Sequence, residues 1–233
     1  MIDDMLVVVP ARGGSKGIIK KNLRKIHGLS LTGLACRFAS CDLKASHILC
    51  TSDSPQILNE ASAYGATLLR DRPSQLAGDS VGDLPVLQDA LNYAERKLHL
   101  AFSSVLMLQP TAPIRNRSTF EAAISEYREI DCDAMWSVTC VDHKYHPLKT
   151  IAMDDSNSGT LHPLADTITA RQQLNTPVIR NGIFYIVKRR ALLNGSMSGE
   201  KLYCYTINHE HVNIDTLKDL YKARRLYKKY ADI

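Results

Sequence analysis

The sequence predicts an α/β fold, a doubly wound, mostly parallel sheet in one domain carrying a small inserted arm, and three observations predict it. Met5 to Val9 is a continuous apolar, largely β-branched run, the pattern of a strand buried on both faces of a parallel sheet. Similar short runs recur at Ile48–Thr51, Ser104–Leu108, Met135–Thr139 and Ile183–Val187, with helical periodicity in the stretches between them. A glycine-rich loop follows the first strand directly. Strands alternating with helices place the ligand site outside the carboxyl ends of the strands, so the functional loops are expected there.

Each helix has its own warrant. Leu31, Leu34, Ala35 and Phe38 share one helical face, as do Ile57, Leu58, Ala61 and Tyr64, with Gly65 placed to end that helix. Leu84, Leu87, Leu91, Ala94 and Leu98 mark a third. Ser118 followed by Glu121 resembles a capping box, opening a helix whose buried face is Phe120, Ala123, Ile124 and Tyr127. Thr216 and Asp219 repeat that pattern, with Asp for the usual Glu, before the last helix. Residues 143–180 break the rhythm: they hold the turn-forming Asp154-Asp155-Ser156-Asn157-Ser158-Gly159 and little helical periodicity. We read 143–180 as an inserted arm and residues 1–142 with 181–233 as the main domain.

Composition narrows the function classes. With 233 residues, 45% of them hydrophobic, the chain can bury a substantial core. It contains no run of about 18 apolar residues, so no membrane span is expected. The acidic start Met1-Ile2-Asp3-Asp4 lacks the basic region of a secretory signal, and the expected location is the cytoplasm. The six cysteines, at positions 36, 41, 50, 132, 140 and 204, form no CxxC pair and stand mostly in apolar stretches; reduced core thiols are expected. The formal charge is only +5, and the basic cluster from Lys222 to Lys229 is interleaved with apolar residues, which suits a solvated helix face better than a nucleic-acid surface.

After the first strand stands Pro10-Ala11-Arg12-Gly13-Gly14-Ser15-Lys16-Gly17, then Lys20-Lys21-Asn22. Three glycines let the backbone turn tightly and aim N–H groups at an anion, and four cationic side chains neutralise phosphate charge. In outline this is a triphosphate site, but neither a Walker A loop nor a GxGxxG fingerprint. A glycine-rich basic turn with a purely structural role stays open at this point.

The Ala-Arg-Gly-Gly-Ser-Lys-Gly run with Lys-Asn behind it resembles the acylneuraminate cytidylyltransferases, and the resemblance covers nearly the whole chain. Thr51-Ser52-Asp53 is similar to the family's Ser-Thr-Asp; Arg72-Pro73, Leu76-Ala77 and Asp79 to its RPxxLAxD; and Leu108 to Arg115 to its LQPTSPLR. His146 to Thr150, Arg171 to Leu174, Asn181 to Tyr185 and Ile214 to Thr216 follow in family order. Singly these motifs are weak, but their ordered set is specific.

The resemblance implies an A-type nucleotide-sugar transferase fold and a reaction of CTP with a nine-carbon 2-keto sugar acid, in the leading reading N-acylneuraminate, giving CMP-sugar and pyrophosphate. It implies Mg²⁺ and in-line attack of the anomeric hydroxyl on the α-phosphate. Arg12, Lys21 and Asp215 are the candidate catalytic residues; Ala11, Arg12, Ser15, Lys16, Asn22 and Arg72 the nucleotide-binding set; Gln109, Lys149, Arg171 and Tyr185 the sugar set. Some sugar contacts come from a neighbouring subunit's arm in the family, so a homodimer is expected.

Three departures from the family's pattern bear on the metal site and on specificity. The family's Asp-Ile-Asp is here Asn213-Ile214-Asp215, so the expected metal ligands are Asp215 and, as an amide oxygen, Asn213. Gly82-Asp83 stands where many relatives carry a serine, and Ser196-Met197-Ser198-Gly199 where an aromatic pair lines the N-acyl pocket. Legionaminic, pseudaminic or a related sugar acid is the alternative substrate, and a nucleotide-binding protein without catalysis the alternative of another class.

Overall fold

The computed structural model describes residues 2–165 and 174–230. Its strands are β1 (Met5–Pro10), β2 (Lys25–Ile26), β3 (Leu29–Ser30), β4 (Ile48–Ser52), β5 (Leu68–Asp71), β6 (Ser104–Met107), β7 (Ala134–Cys140), β8 (Ile151–Met153), β9 (Gly159–Leu161), β10 (Val178–Lys188) and β11 (Leu202–Thr206). The helices are α1 (Leu31–Arg37), α2 (Pro55–Ala63), α3 (Asp83–Leu98), α4 (Arg117–Glu129), α5 (Arg189–Leu193) and α6 (Leu217–Tyr230). Seven strands form the central sheet in the order β11-β7-β10-β6-β1-β4-β5. All run parallel except β10, which lies antiparallel between β6 and β7, with Tyr185 opposite both Met107 and Trp136.

The period-two alternation of β1 explains the layers. Val7 and Val9 face α1, α2 and α4, joining Cys50, Ala61, Phe120 and Phe184 in one core. Leu6 and Val8 face α3 and α5, joining Leu49, Leu87, Leu91, Met107 and Leu192 in the other. Both faces of the strand are therefore dry, as its unbroken apolar run predicts. Phe120 of α4 is fully buried between Phe38 and Phe184, with ring centroids 4.7 and 5.0 Å away. A phenylalanine so enclosed contributes about 3–5 kcal/mol. A third cluster, in which Leu220 and Ala223 of α6 pack with Ile26, Leu31, Ile114 and Ile214, holds the C-terminal helix beside the entry to α1.

The expected helix faces are the buried ones, including Phe120, Ala123, Ile124 and Tyr127 of α4. Gly65 follows α2 with φ +99°, a conformation that suits glycine. The Thr216–Asp219 box forms in both directions: Thr216 N–H donates to Asp219 Oδ2 at 2.8 Å and Asp219 N–H to Thr216 Oγ1 at 3.3 Å. The Ser118–Glu121 box does not form. Asn116 caps α4 instead, accepting from Thr119 N–H at 3.1 Å, while Ser118 donates to Asn116 and Glu121 pairs with Arg117. An Asn two positions upstream caps an earlier N–H, that of Thr119 instead of Glu121, which moves the helix start back. The six cysteines are free thiols, but Cys41, Cys140 and Cys204 are exposed; only Cys36, Cys50 and Cys132 belong to the core. Cys140 ends β7 and Cys204 sits on edge strand β11, where one face meets solvent.

Between β7 and β10 the chain makes two 3₁₀ turns, His143–Tyr145 and Pro147–Lys149, and then the hairpin β8–β9, in which Ile151 faces Leu161. Its apolar side chains are bare: Ile151 is 62% exposed and Met153 70%. Val178–Arg180, at the end of the span read as the arm, already pair with β7. No helix among the described residues is long and apolar enough to cross a membrane.

Candidate active site

A cavity of about 550 Å³ opens at the carboxyl ends of the strands. The end of β1 supplies Pro10 and the segment after it Arg12, Ser15, Lys16 and Gly17; the 3₁₀ turn Lys21–Leu23 supplies Lys21 and Asn22. Arg72 follows β5, Gln109 to Thr111 follow β6, and Asp215 precedes α6. Residues up to about 200 positions apart in sequence thus meet because parallel strands end on one side.

The charges are arranged in pairs. Arg12 Nη1 and Lys16 Nζ clasp the two oxygens of Asp79, Lys16 at 2.5 Å. The bonds to Lys16 and Arg12 hold the Asp79 carboxyl below the usual range. Lys21 Nζ lies 3.0 Å from Asp215 Oδ1; the Lys21 side chain is largely buried, whereas that of Asp215 is 72% exposed towards solvent. Asn22 is buried and donates through Nδ2 to the Arg12 carbonyl at 2.9 Å, so it fixes the loop's course; its Oδ1 has no partner among the described residues. Gly13 N–H donates to Asp53 Oδ1 at 2.7 Å, pinning the loop to the end of β4.

Arg72 is buried, and its guanidinium donates to the Thr51 carbonyl at 2.8 Å and to Thr51 Oγ1 at 3.3 Å. Burial lowers its pKa. Arg115 lies deeper still: desolvation brings it to about 10, and it donates to the Gln109 carbonyl at 2.5 Å. That bond shapes the turn carrying Gln109, whose Nε2 lies 3.5 Å from Asp83 Oδ2. Ile214 N–H donates to the Thr111 carbonyl at 2.8 Å and so ties the Asp215 segment to the same turn.

A second cavity of about 250 Å³ adjoins the first and shares Asp83 with it. Leu84, Trp136, Tyr185 and Met197 wall it, and Arg180 stacks over the Trp136 ring at 5.4 Å. Tyr185 meets Trp136 edge-on, with centroids 5.6 Å apart.

Of the residues expected from sequence, Arg12, Ser15, Lys16, Lys21, Asn22, Arg72, Gln109 and Asp215 line the first cavity, and Tyr185 the second. Ala11 stands behind the wall, its methyl in the core and its N–H bonded to the Thr51 carbonyl at 3.0 Å. Asn213 is exposed and lies beside Gly182 and Gln109 rather than in the first cavity's lining. Lys149 is exposed on its 3₁₀ turn and lines neither cavity. Arg171 lies outside the described residues. Asp83, Trp136 and Arg180 were not expected: Trp136 sits in an ordinary strand pattern, Arg180 at the end of the span read as the arm and Asp83 where relatives carry a serine, and only the folded chain gathers them. Among the described residues no group of three or more His, Cys, Asp or Glu side chains forms a metal cage.

A mostly parallel sheet flanked by helices on both faces, with a basic, glycine-rich cavity at its carboxyl ends, defines a nucleotide-handling α/β domain. Residues 6–230 match the family described as Cytidylyltransferase. The chain is 30% identical to the CMP-N,N'-diacetyllegionaminic acid synthase of Campylobacter jejuni over 198 residues, 84% of this chain and 83% of that protein. It is 26% identical to the N-acylneuraminate cytidylyltransferase of Escherichia coli over 165 residues, 71% of this chain but 35% of that longer protein. In structure it superposes on a CMP:2-keto-3-deoxy-manno-octonic acid synthetase complexed with CTP with a TM-score of 0.70, at 14% identity, covering 97% of this chain and 98% of the other. The chain belongs to the cytidylyltransferase family, in its branch of sialic-acid-type CMP synthetases.

Proposed function

We propose that the chain transfers the cytidylyl group of CTP to the anomeric hydroxyl of a nine-carbon 2-keto sugar acid, releasing pyrophosphate. The observation that carries this reading is one cavity holding Arg12, Lys16, Lys21 and Asp215 in a cytidylyltransferase. Arg12 offers a bidentate fork and Lys21 a point charge to the triphosphate, supported by Ser15 and Lys16. Both cations already face carboxylates, so phosphate oxygens replace existing partners instead of requiring new side-chain positions. Asn22 and Arg72 hold the loop and wall against which the nucleotide lies. Gln109 and Tyr185 face the sugar, and Lys149, on the arm, serves the site of a second copy.

The donor set suits Mg²⁺, which is held by one or two carboxylates together with substrate phosphates rather than by an all-protein cage. Asp215 presents such a carboxylate to the cavity, whereas Asn213 lies outside its lining. Bound there, Mg²⁺ supplies neutralisation of phosphate charge.

As acceptor we favour a sugar acid of the legionaminic type, or a related one such as pseudaminic acid, over N-acylneuraminate. The match to the legionaminic acid synthase is the higher in identity and spans most of both chains. The test offers CTP and Mg²⁺ with N-acetylneuraminate, legionaminic, pseudaminic and octonic 2-keto sugar acids and follows pyrophosphate release and nucleotide-sugar product. Product with a nine-carbon acid, lost on chelation of Mg²⁺, is expected. Absence of product with every acid refutes the reading.

A further inference from the structure

Four aspartates stand at or behind the nucleotide cavity, and three are committed. Asp53 accepts from the Gly13 N–H at 2.7 Å, Asp79 is clasped by Arg12 and Lys16, and Asp215 pairs with Lys21 at 3.0 Å. Asp83 differs: among the described residues it makes no ion pair, and its nearest polar contact is Gln109 Nε2 at 3.5 Å, too long for a strong hydrogen bond. It is also the one aspartate that lines both cavities, the basic one and the smaller one walled by Leu84, Trp136, Tyr185 and Met197.

Resting on the function proposed above, we propose that Asp83 is a catalytic residue, the general base that takes the proton from the sugar hydroxyl attacking the α-phosphate. The triphosphate fills the basic cavity, and the acceptor enters from the side of Tyr185 and Gln109, so the hydroxyl must cross the boundary that Asp83 occupies. The step balances on that carboxylate. The O–H bond of the sugar breaks and its proton passes to Asp83; the freed oxygen forms the new bond to phosphorus; and the bond from the α-phosphorus to the pyrophosphate oxygen breaks, pyrophosphate leaving with that electron pair.

The surroundings suit a base. Burial raises the Asp83 pKa, while Arg180 and Arg72, the cations that face it, pull it back; Tyr185 is the other titratable group facing it. Neither arginine neutralises it at close range, because Arg72 is spent on Thr51 and Arg180 is stacked on Trp136. A carboxylate held above its ordinary range, yet without a fixed partner, keeps both proton affinity and free lone pairs for a substrate proton.

Asp83→Asn, nearly isosteric and half-buried, is the variant to make in the full chain, with its melting curve recorded alongside. With CTP and a sugar acid that the wild type converts, kcat/KM for the sugar is expected to fall by about 10²–10⁴-fold. A fall of rate towards low pH, above the range of an exposed aspartate, is expected in the wild type and should vanish in the variant, and Asp83→Glu should recover part of the rate. CTP affinity, measured by calorimetry, should not change. Wild-type kcat and an unaltered pH profile in a folded Asp83→Asn overturn the assignment. So does a loss confined to CTP affinity or to discrimination between CTP and UTP, which makes Asp83 a reader of the base. If the wild type converts no sugar acid at all, the proposed function itself fails, and the role of Asp83 with it.

Discussion

Arg12 is half-exposed, and its bond to Asp79 joins two side chains in contact with water. Such pairs contribute little to stability, because water screens them. Its replacement by alanine is therefore expected to leave the melting temperature within a few degrees, while turnover of CTP drops by roughly two orders of magnitude, the scale for losing one electrostatic contact to a transition state. Pyrophosphate release and a thermal melt on one sample check both halves; a folded Arg12→Ala at full activity removes the residue from the mechanism. Arg12, Lys21 and Asp215 were legible in the chain because motif order carries them. Asp83 was not, since Gly82-Asp83 shows in one dimension only the absence of an expected serine. In the fold it lies between two cavities and makes no ion pair among the described residues, and neither property exists before folding.

Gly17 shows what a backbone element demands of one position. A Cβ built there would lie 2.7 Å from the Asp215 carbonyl oxygen, closer than real side chains approach backbone, so the loop and the Asp215 segment would have to separate. Gly17→Ala is expected to lower kcat/KM for CTP by roughly 10²-fold, the cost of about 1 Å of misplacement, with little change in unfolding midpoint because the loop is exposed. Unchanged kinetics would mean that loop and Asp215 need not touch. Among the regular elements, the long buried strands and amphipathic helices were readable, since their periodicity reflects two dry faces or one. Edge strands β5 and β11 were missed: they are short, and β11 alternates between exposed and half-buried residues, a pattern weakly apolar in sequence. The start of β10 at Val178 escaped for the same reason, its first three residues being exposed.

For the molecule as a whole, the hairpin β8–β9 and its surroundings expose Ile151, Met153, Leu161, Leu164 and Ile179, each at least half accessible. An apolar group of this kind on a polar arm is suited to association with a partner. We expect a homodimer through the arm, and the double variant Ile151→Ser, Met153→Ser should shift the mass measured by light scattering from two chains towards one. Activity should fall with it if Lys149 and Arg171 serve the second copy's site. A fully active wild-type monomer excludes this assembly.

What the amino-acid order determined by itself is the layered α/β class, the faces of the helices and the phosphate loop, because each depends on neighbours a few residues apart and on a periodicity that burial imposes. The tertiary structure alone decided which charges pair. It turned Asn213 towards Gly182, set Ala11 behind the cavity wall, clasped Asp79 between two cations and left Asp83 unclaimed at the boundary of two cavities. The reason is electrostatic. A carboxylate's proton affinity depends on its desolvation and on charges within a few ångströms, and parallel strand ends bring those charges together from segments far apart in the chain.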